Sequence, residues 1–460
     1  MSEYHDRRAG PRRRRRLAGG AIAALALATV GAFVFARAAE HETPPAVRGA
    51  PLRVAATDGD ALFLLTAHEE RHVLSSRGRS RHVRVQHHVD LWRFDPATAA
   101  PVFRRRLMTV TGARSAAAFD ARLLGAHGGT LWLHTDGLQA VAIADGRPLG
   151  NADTIAARSP TLRGAMPTES RFVTLAADGL RITATDARIH RVDPATLVAQ
   201  PVTAPPAAAA SAVTRPGRWI PSSTTAFVTR GLEASDRWLG VLSADEGERF
   251  RSRVATVAAA LASDRRERTY HDASRLAPPR DDGLAAPTRL RLWSARVDRV
   301  SAAPPGWPAD LPSRWGTRAA YADIAPLPES PEFLQGGLLH AGATPAAPLL
   351  LREPDGVLVL HRDRLGETGR LQLTRVAAPG GRPVWDARLP LSVLQAVLPG
   401  HSRQRTLVLV GREYAPADGA PRDPHHTAHE QIVAVDVATG AVRAYDLTVR
   451  GAEAPVIGAR

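Results

Sequence analysis

The sequence predicts an all-β protein: a β-propeller of seven or eight four-stranded blades, preceded by one N-terminal transmembrane helix. Three observations predict it. Short apolar runs recur between Gly, Pro and Asp residues: Leu62-Phe63-Leu64-Leu65, Leu131-Trp132-Leu133, Leu358-Val359-Leu360 and Leu407-Val408-Leu409-Val410. Their lengths suit strands better than helices. A strand, Asp-x-x-Thr turn, strand pattern recurs with a period of about 49 residues, the range of one propeller blade. A run of twenty uncharged residues, Leu17 to Ala36, follows an Arg-rich start.

Residues 1–16 carry Arg7, Arg8 and Arg12 to Arg16 and are expected in the cytoplasm by the positive-inside rule. As a helix, residues 17–36 span about 30 Å, the thickness of a bilayer core. They are expected to be a signal anchor in the bacterial inner membrane. A cleaved signal peptide is the alternative, with Ala36-Arg37-Ala38 as a small-x-small site. Both readings put the rest of the chain in the periplasm. Residues 37–51, with Pro44-Pro45, read as a tether.

Residues 52–450 carry the repeat. The copies are Trp92-Arg93-Phe94-Asp95-Pro96-Ala97-Thr98, Val192-Asp193-Pro194-Ala195-Thr196 and Val433-Ala434-Val435-Asp436-Val437-Ala438-Thr439-Gly440. Asp accepts backbone N–H bonds, Pro pre-sets φ, and a closing Gly supplies a left-handed residue, which makes a tight hairpin turn. Asp95 to Asp193 fits two steps of the period and Asp193 to Asp436 fits five. Asp145-Gly146, Asp245-Glu246-Gly247 and Pro379-Gly380-Gly381 fall near intermediate phases.

The Asp-x-x-Thr-Gly turn after a strand resembles the repeat of the pyrroloquinoline-quinone-type β-propellers, best at Ala434 to Gly440. The resemblance implies the propeller fold and argues against the quinone cofactor. Enzymes of that family commonly carry vicinal cysteines and a calcium site with Asn, whereas this chain has no Cys and only Asn151. The tryptophan that docks neighbouring blades is missing from the three copies; Phe103 and Tyr445 fall near its place.

Residues 251–345 break the rhythm and are expected to form an irregular insertion. Val254, Val257, Ala258 and Leu261 after Ser252 have the spacing of one short amphipathic helix. A Pro-rich loop follows from Pro304 to Pro331. Residues 451–460 read as a C-terminal tail.

Composition excludes several chemistries. Without Cys there are no disulfides, thiolate metal sites or Cys nucleophiles. Without Lys there is no Walker A lysine and no Schiff base; all 60 basic residues are Arg. The formal charge of +15 is concentrated at the N-terminus and otherwise scattered. Aromatics are only 5%, so no nucleic-acid partner is expected.

His68-Glu69-Glu70-Arg71-His72 satisfies the HExxH pattern of zinc peptidases, where two His one helical turn apart hold the metal. It follows a strand-like run and has charged inner positions, both of which weigh against that chemistry. A second reading joins His68, His72, His82, His87 and His88 with His425, His426, His429 and Glu430. Both groups occupy the same phase of the repeat, and a propeller that pairs its first and last blades brings them together. His68, His72, His425, His426, His429 and Glu430 are therefore the candidate ligands of a divalent metal. No other cofactor and no catalytic residue is expected. The expected function is a non-catalytic periplasmic binding or scaffold propeller with an envelope protein partner. The alternative is a metal-dependent hydrolase, or another propeller enzyme, using the His-rich loops.

Overall fold

The computed structural model describes residues 41–56, 59–77, 80–112, 120–176, 178–202, 224–234, 236–262, 289–301, 317–339, 356–365, 369–400, 405–414 and 428–448. The chain there is mostly β, built from antiparallel four-stranded meanders, none closed into a barrel. Sheet 1 runs Ala46–Ala56, Gly59–Arg77, Ser80–Phe94, Pro101–Thr111, and His41–Glu42 adds a fifth short strand. Sheet 2 runs Ala121–His127, Thr130–Thr135, Leu138–Ala142, Pro148–Asn151. Sheet 3 runs Val173–Ala176, Gly179–Thr183, Ile189–Val192, Ala199–Pro201. Sheet 4 runs Gly231–Ala234, Arg237–Leu242, Arg289–Ser301, Thr317–Pro326. Sheet 5 runs Phe333–Leu339, Gly356–Arg362, Leu371–Ala377, Pro383–Arg388. Sheet 6 runs Val393–Leu398, Thr406–Glu413, His429–Asp436, Val442–Asp446. Sheets 4 and 5 are joined where Arg289 and Leu290 pair with Leu334 and Phe333.

The short apolar runs are continuous because their strands are covered on both faces. Phe63 and Leu65 pack with Leu131 and Leu133 of sheet 2, while Leu62 and Leu64 pack with Val408 and Val410 of sheet 6. Trp132 turns to sheet 3. Val357 and Val359 meet sheet 4, and Leu358 and Leu360 meet sheet 6. Successive residues of a strand point to opposite faces, so one run feeds two cores. The packing order is 3–2–1–6–5–4, and the first sheet packs on the last. No hydrophobic cluster joins sheets 3 and 4 among the described residues. A short helix α1 (Ala152–Arg158) follows sheet 2, and the remaining face of sheet 4, with Trp238, Trp293 and Tyr321, is covered by the helix α2 (Ala244–Ala262) through Phe250 and Val254. Arg181 pairs with Arg191 across sheet 3, and both reach Asp178.

Five turns between third and fourth strands share one geometry, two more than the Asp-x-x-Thr pattern marks. In each, the first residue's carbonyl accepts from the N–H four residues on: Asp95 from Ala99, Ala142 from Gly146, Asp193 from Leu197, Ala377 from Gly381, Asp436 from Gly440. That fifth residue is left-handed every time, with φ of 56°, 67°, 57°, 81° and 76° in chain order. Each turn meets the sheet packed beside it. The Phe103 ring of sheet 1 rests on Gly146, Leu327 after sheet 4 rests on Gly381, and the Trp385 ring of sheet 5 rests on Gly440. A Cβ on Gly440 would stand 2.7 Å from Trp385. Between sheets 2 and 3 the sizes are exchanged, with Leu197 in the turn against Gly150 on the strand. Tyr445 of sheet 6 packs edge-on against Phe94, beside the Asp95 turn, with centroids 5.4 Å apart.

Several expectations are corrected. Six four-stranded units occupy the described residues, not seven or eight, and Asp193 and Asp436 stand three sheets apart rather than five steps. Sheet 4 stretches the rhythm, because α2 and two long connections are inserted between its strands. Strands Arg289–Ser301, Thr317–Pro326 and Phe333–Leu339 lie within the span expected as an insertion. Asp245-Glu246-Gly247 opens α2 instead of forming a turn. The helix starts earlier than its apolar spacing predicts because Ser243 and Glu246 form a capping box: Ser243 N–H donates to Glu246 at 2.9 Å, and Glu246 N–H to Ser243 Oγ at 3.3 Å. A strand begins at Ala46, inside the stretch expected as tether, because Val47 and Leu52 are buried. Among the described residues no helix is long and apolar enough to cross a membrane; residues 1–16, 17–36 and 451–460 lie outside them.

Candidate functional site

The HExxH residues lie on a strand, the second of sheet 1. Strand alternation puts His68, Glu70 and His72 on one face and Glu69 and Arg71 on the other. The two His are four strand residues, about 13 Å, apart along the chain, where the zinc pattern needs one helical turn. His68 is opposite His88, Glu69 opposite His87 and His72 opposite Arg84. Asp90 on the third strand is opposite Arg106 on the fourth.

The apolar interface between sheets 1 and 6 gives way at one end to this polar layer. Asp90 is buried and accepts from Arg104 Nε at 2.9 Å and Arg106 Nε at 3.3 Å. Arg104 also lies 5.0 Å over the Trp92 ring. Arg106 donates to His68 Nε2 at 3.4 Å, which leaves the imidazole proton on Nδ1, 3.5 Å from Asp90. Burial pushes the His68 pKa down to about 4, with Asp90 opposing. His68 is neutral at neutral pH. His88 lies beside it, its ring tilted by 37° with centroids 5.0 Å apart, donates to Glu70 at 3.1 Å and accepts from Thr109 at 2.9 Å. Burial also lowers its pKa. Glu70 holds His72 at 3.2 Å, and Glu69 holds His87 at 3.4 Å.

Sheet 6 faces this layer. Glu430 is buried and accepts from Arg412 at 2.8 Å. Burial raises its pKa against the pull of Arg412, of the Val47 N–H bond and of Arg48. Arg48 in turn feels Glu69 as well as Glu430. Glu430 thus reaches the first strand of sheet 1, the sheet that carries His68 and His72. His429 turns elsewhere, donating to Asp446 at 2.9 Å beside Thr448. Bonds from Thr448 and His429 outweigh burial and hold the Asp446 carboxyl below the usual range.

The structure therefore brings His68, His72 and Glu430 to one end of one seam, but engages each with a different partner. His425 and His426 lie outside the described residues. Among the described residues no group of three or more His, Asp or Glu is placed to hold a metal ion. Sequence reasoning missed Asp90, Arg104, Arg106 and Arg412. The signal was the triplet Arg104-Arg105-Arg106: in a strand its first and third members share a face and demand an anion there.

A second set of polar groups also ties sheets together. Arg53 donates to Asp60 at 2.9 Å and to the Thr406 carbonyl of sheet 6 at 2.8 Å. Arg93 reaches the Ala144 carbonyl in the turn of sheet 2 at 2.7 Å. Arg375 and Trp385 both reach the Val437 carbonyl in the turn of sheet 6 at 3.0 Å. Two shallow cavities of about 350 and 330 Å³ share Pro167 and Thr168 near the ends of sheets 2 and 3.

No family model matches the chain, and no curated protein matches it. Among solved structures it is similar to a luciferin-regenerating enzyme at 8% identity, over 88% of this chain and 95% of that one, with a TM-score of 0.24.

Proposed function

We propose that the chain is a single-pass inner-membrane protein whose periplasmic part is a six-bladed β-propeller, serving as a non-catalytic binding or scaffold module for an envelope protein. The propeller reading is supported by the serial packing of the sheets, the contact of first on last, and the five equivalent turns. The observation that carries the non-catalytic reading is the pairing within the candidate site. Asp90, Glu69 and Glu70 are each held by Arg or His of sheet 1 and Glu430 by Arg412 of sheet 6, so drawing any of them to a metal or substrate must first break a pair already made. The membrane reading rests on the Arg-flanked run at 17–36.

The test is in-cell crosslinking and affinity purification of the full chain. One stoichiometric envelope protein is the expected result. A second reading, a divalent metal held by the His-rich loops, is favoured by the approach of Glu430 to sheet 1. Metal content after dialysis decides it: wild type and a His425→Ala/His426→Ala/His429→Ala variant are expected to retain equally little. Stoichiometric zinc in wild type, lost in the variant together with a hydrolytic activity, overturns the scaffold reading.

A further inference from the structure

The second and third strands of sheet 1 run beyond the rest of their sheet. The first strand pairs with the second only as far as Ala46 opposite Ala67, and the fourth pairs with the third as far as Thr111 opposite Gln86. His41–Glu42 covers Arg71 and Glu70. Past these points His72 pairs with Arg84, Val73 with Val83, Ser75 with His82, Ser76 with Arg81 and Arg77 with Ser80. This is a two-stranded ribbon, five strand residues or about 17 Å long. A ribbon of two strands is marginally stable by itself in water.

Its chemistry is one-sided. Between Arg71 and Arg84 the sequence has no Asp or Glu. Arg71, Arg77, Arg81 and Arg84 stand on the two strands. Arg84 is exposed, and so is the apolar Val83 beside it at 46%. Of the acids at the base, Glu69 and Glu70 are engaged by His87, His88, His72 and Arg71, and Glu42 stands opposite Glu70.

The chain leads to this ribbon from the apolar run. Only four residues lie between Ala36 and His41, five steps with a reach of at most about 18 Å, and His41 is paired to the foot of the ribbon. We propose that the ribbon docks on the anionic phospholipid headgroups of the leaflet from which the chain emerges. Guanidinium groups bind phosphate in a bidentate manner, and an exposed Val among them suits the headgroup boundary. The inference rests on the anchored reading above.

The absence of Cys allows one label at Ser80→Cys in the full chain. The labelled protein is reconstituted into vesicles of phosphatidylcholine alone or of equimolar phosphatidylcholine and phosphatidylglycerol, each with headgroup-quencher lipid, and flotation is scored alongside. The expected result is flotation with both vesicles and quenching in the anionic ones. Arg77→Ser/Arg81→Ser/Arg84→Ser should weaken docking about a hundredfold, with flotation kept. Flotation with an unquenched label, or quenching unchanged by the triple variant, overturns the docking and leaves the anchor standing. Failure to float with either vesicle overturns both. Flotation only with anionic vesicles, lost in the triple variant, supports the ribbon and overturns the anchor.

Discussion

Arginine does two jobs in this chain, and only one is electrostatic in the usual sense. Arg53, Arg93 and Arg375 are buried, yet their main partners include carbonyls of a neighbouring sheet. A guanidinium keeps its charge when buried and carries five donors, so it can hold a carboxylate and a carbonyl at once. Arg53→Ala leaves Asp60 buried beside an unfilled gap and should cost about 3–5 kcal/mol in urea unfolding. Arg53→Met with Asp60→Asn should cost clearly less. The buried histidines give a pH dependence. His68 has a folded pKa of about 4 against an ordinary 6.5, so the unfolded chain binds more protons between those values. Its contribution is complete above pH 6.5 and fades as pH falls toward 4. Between pH 7 and pH 5 the loss should be about 2 kcal/mol, and His68→Gln should lose that much less over the same interval. His88, His190 and His361 are shifted in the same direction, burial being the leading cause for each.

At the scale of elements, the turn after the third strand is the repeating unit that the sequence announces most clearly. Its Asp copies were legible because the side chain makes the turn: Asp193 accepts from Ala195 N–H at 2.8 Å and Asp436 from Ala438 and Thr439 at 2.9 Å. Those backbone bonds hold both carboxyls below the usual range. The copies at Ala142 and Ala377 were legible only through Asp145-Gly146 and Pro379-Gly380-Gly381, because their first residue has no side chain to make the turn; in the first of them Asp145 accepts from Arg147 N–H at 3.0 Å instead. The docking contact was hidden for another reason. Phe103, Trp385, Leu327 and the Gly150–Leu197 pair fill one space with different side chains, so no single residue type recurs. Gly440→Ala should cost about 2–4 kcal/mol, combining a left-handed alanine with a Cβ driven into Trp385. Trp385→Leu in that background should recover part of the loss in a double-mutant cycle. The candidate site was half legible. The His and Glu positions stood out by type, but their pairing across strands depends on register, which a chain does not reveal until its bulges are known.

For the whole molecule, the apolar runs marked the strands, though not that both faces of their sheets are covered, while the count of units was misread because sheet 4 is stretched. Packing is uneven around the series. Sheets 1, 2, 5 and 6 each lie between two others, whereas sheet 3 shares a hydrophobic cluster with sheet 2 alone among the described residues. Hydrogen exchange should therefore be slowest in Ala61–Leu65, Leu358–Leu360 and Leu407–Val410 and measurably faster in Gly179–Thr183. Uniform protection across the sheets would show that sheet 3 is covered as fully as the rest.

The seam between sheets 1 and 6 has a mechanical consequence. Val47 and Leu447 share one cluster there, so the first strand of sheet 1 and the residues just after the last strand of sheet 6 meet at the same junction. A pull applied between residues 47 and 447 would load that junction first. Arg53 to Thr406 and Glu430 to Val47 would be the bonds under tension, and the other sheets would bear no force until they broke. The junction would act as a fuse: it would set the force at which the module opens, and it would reclose from parts that never left one another's reach.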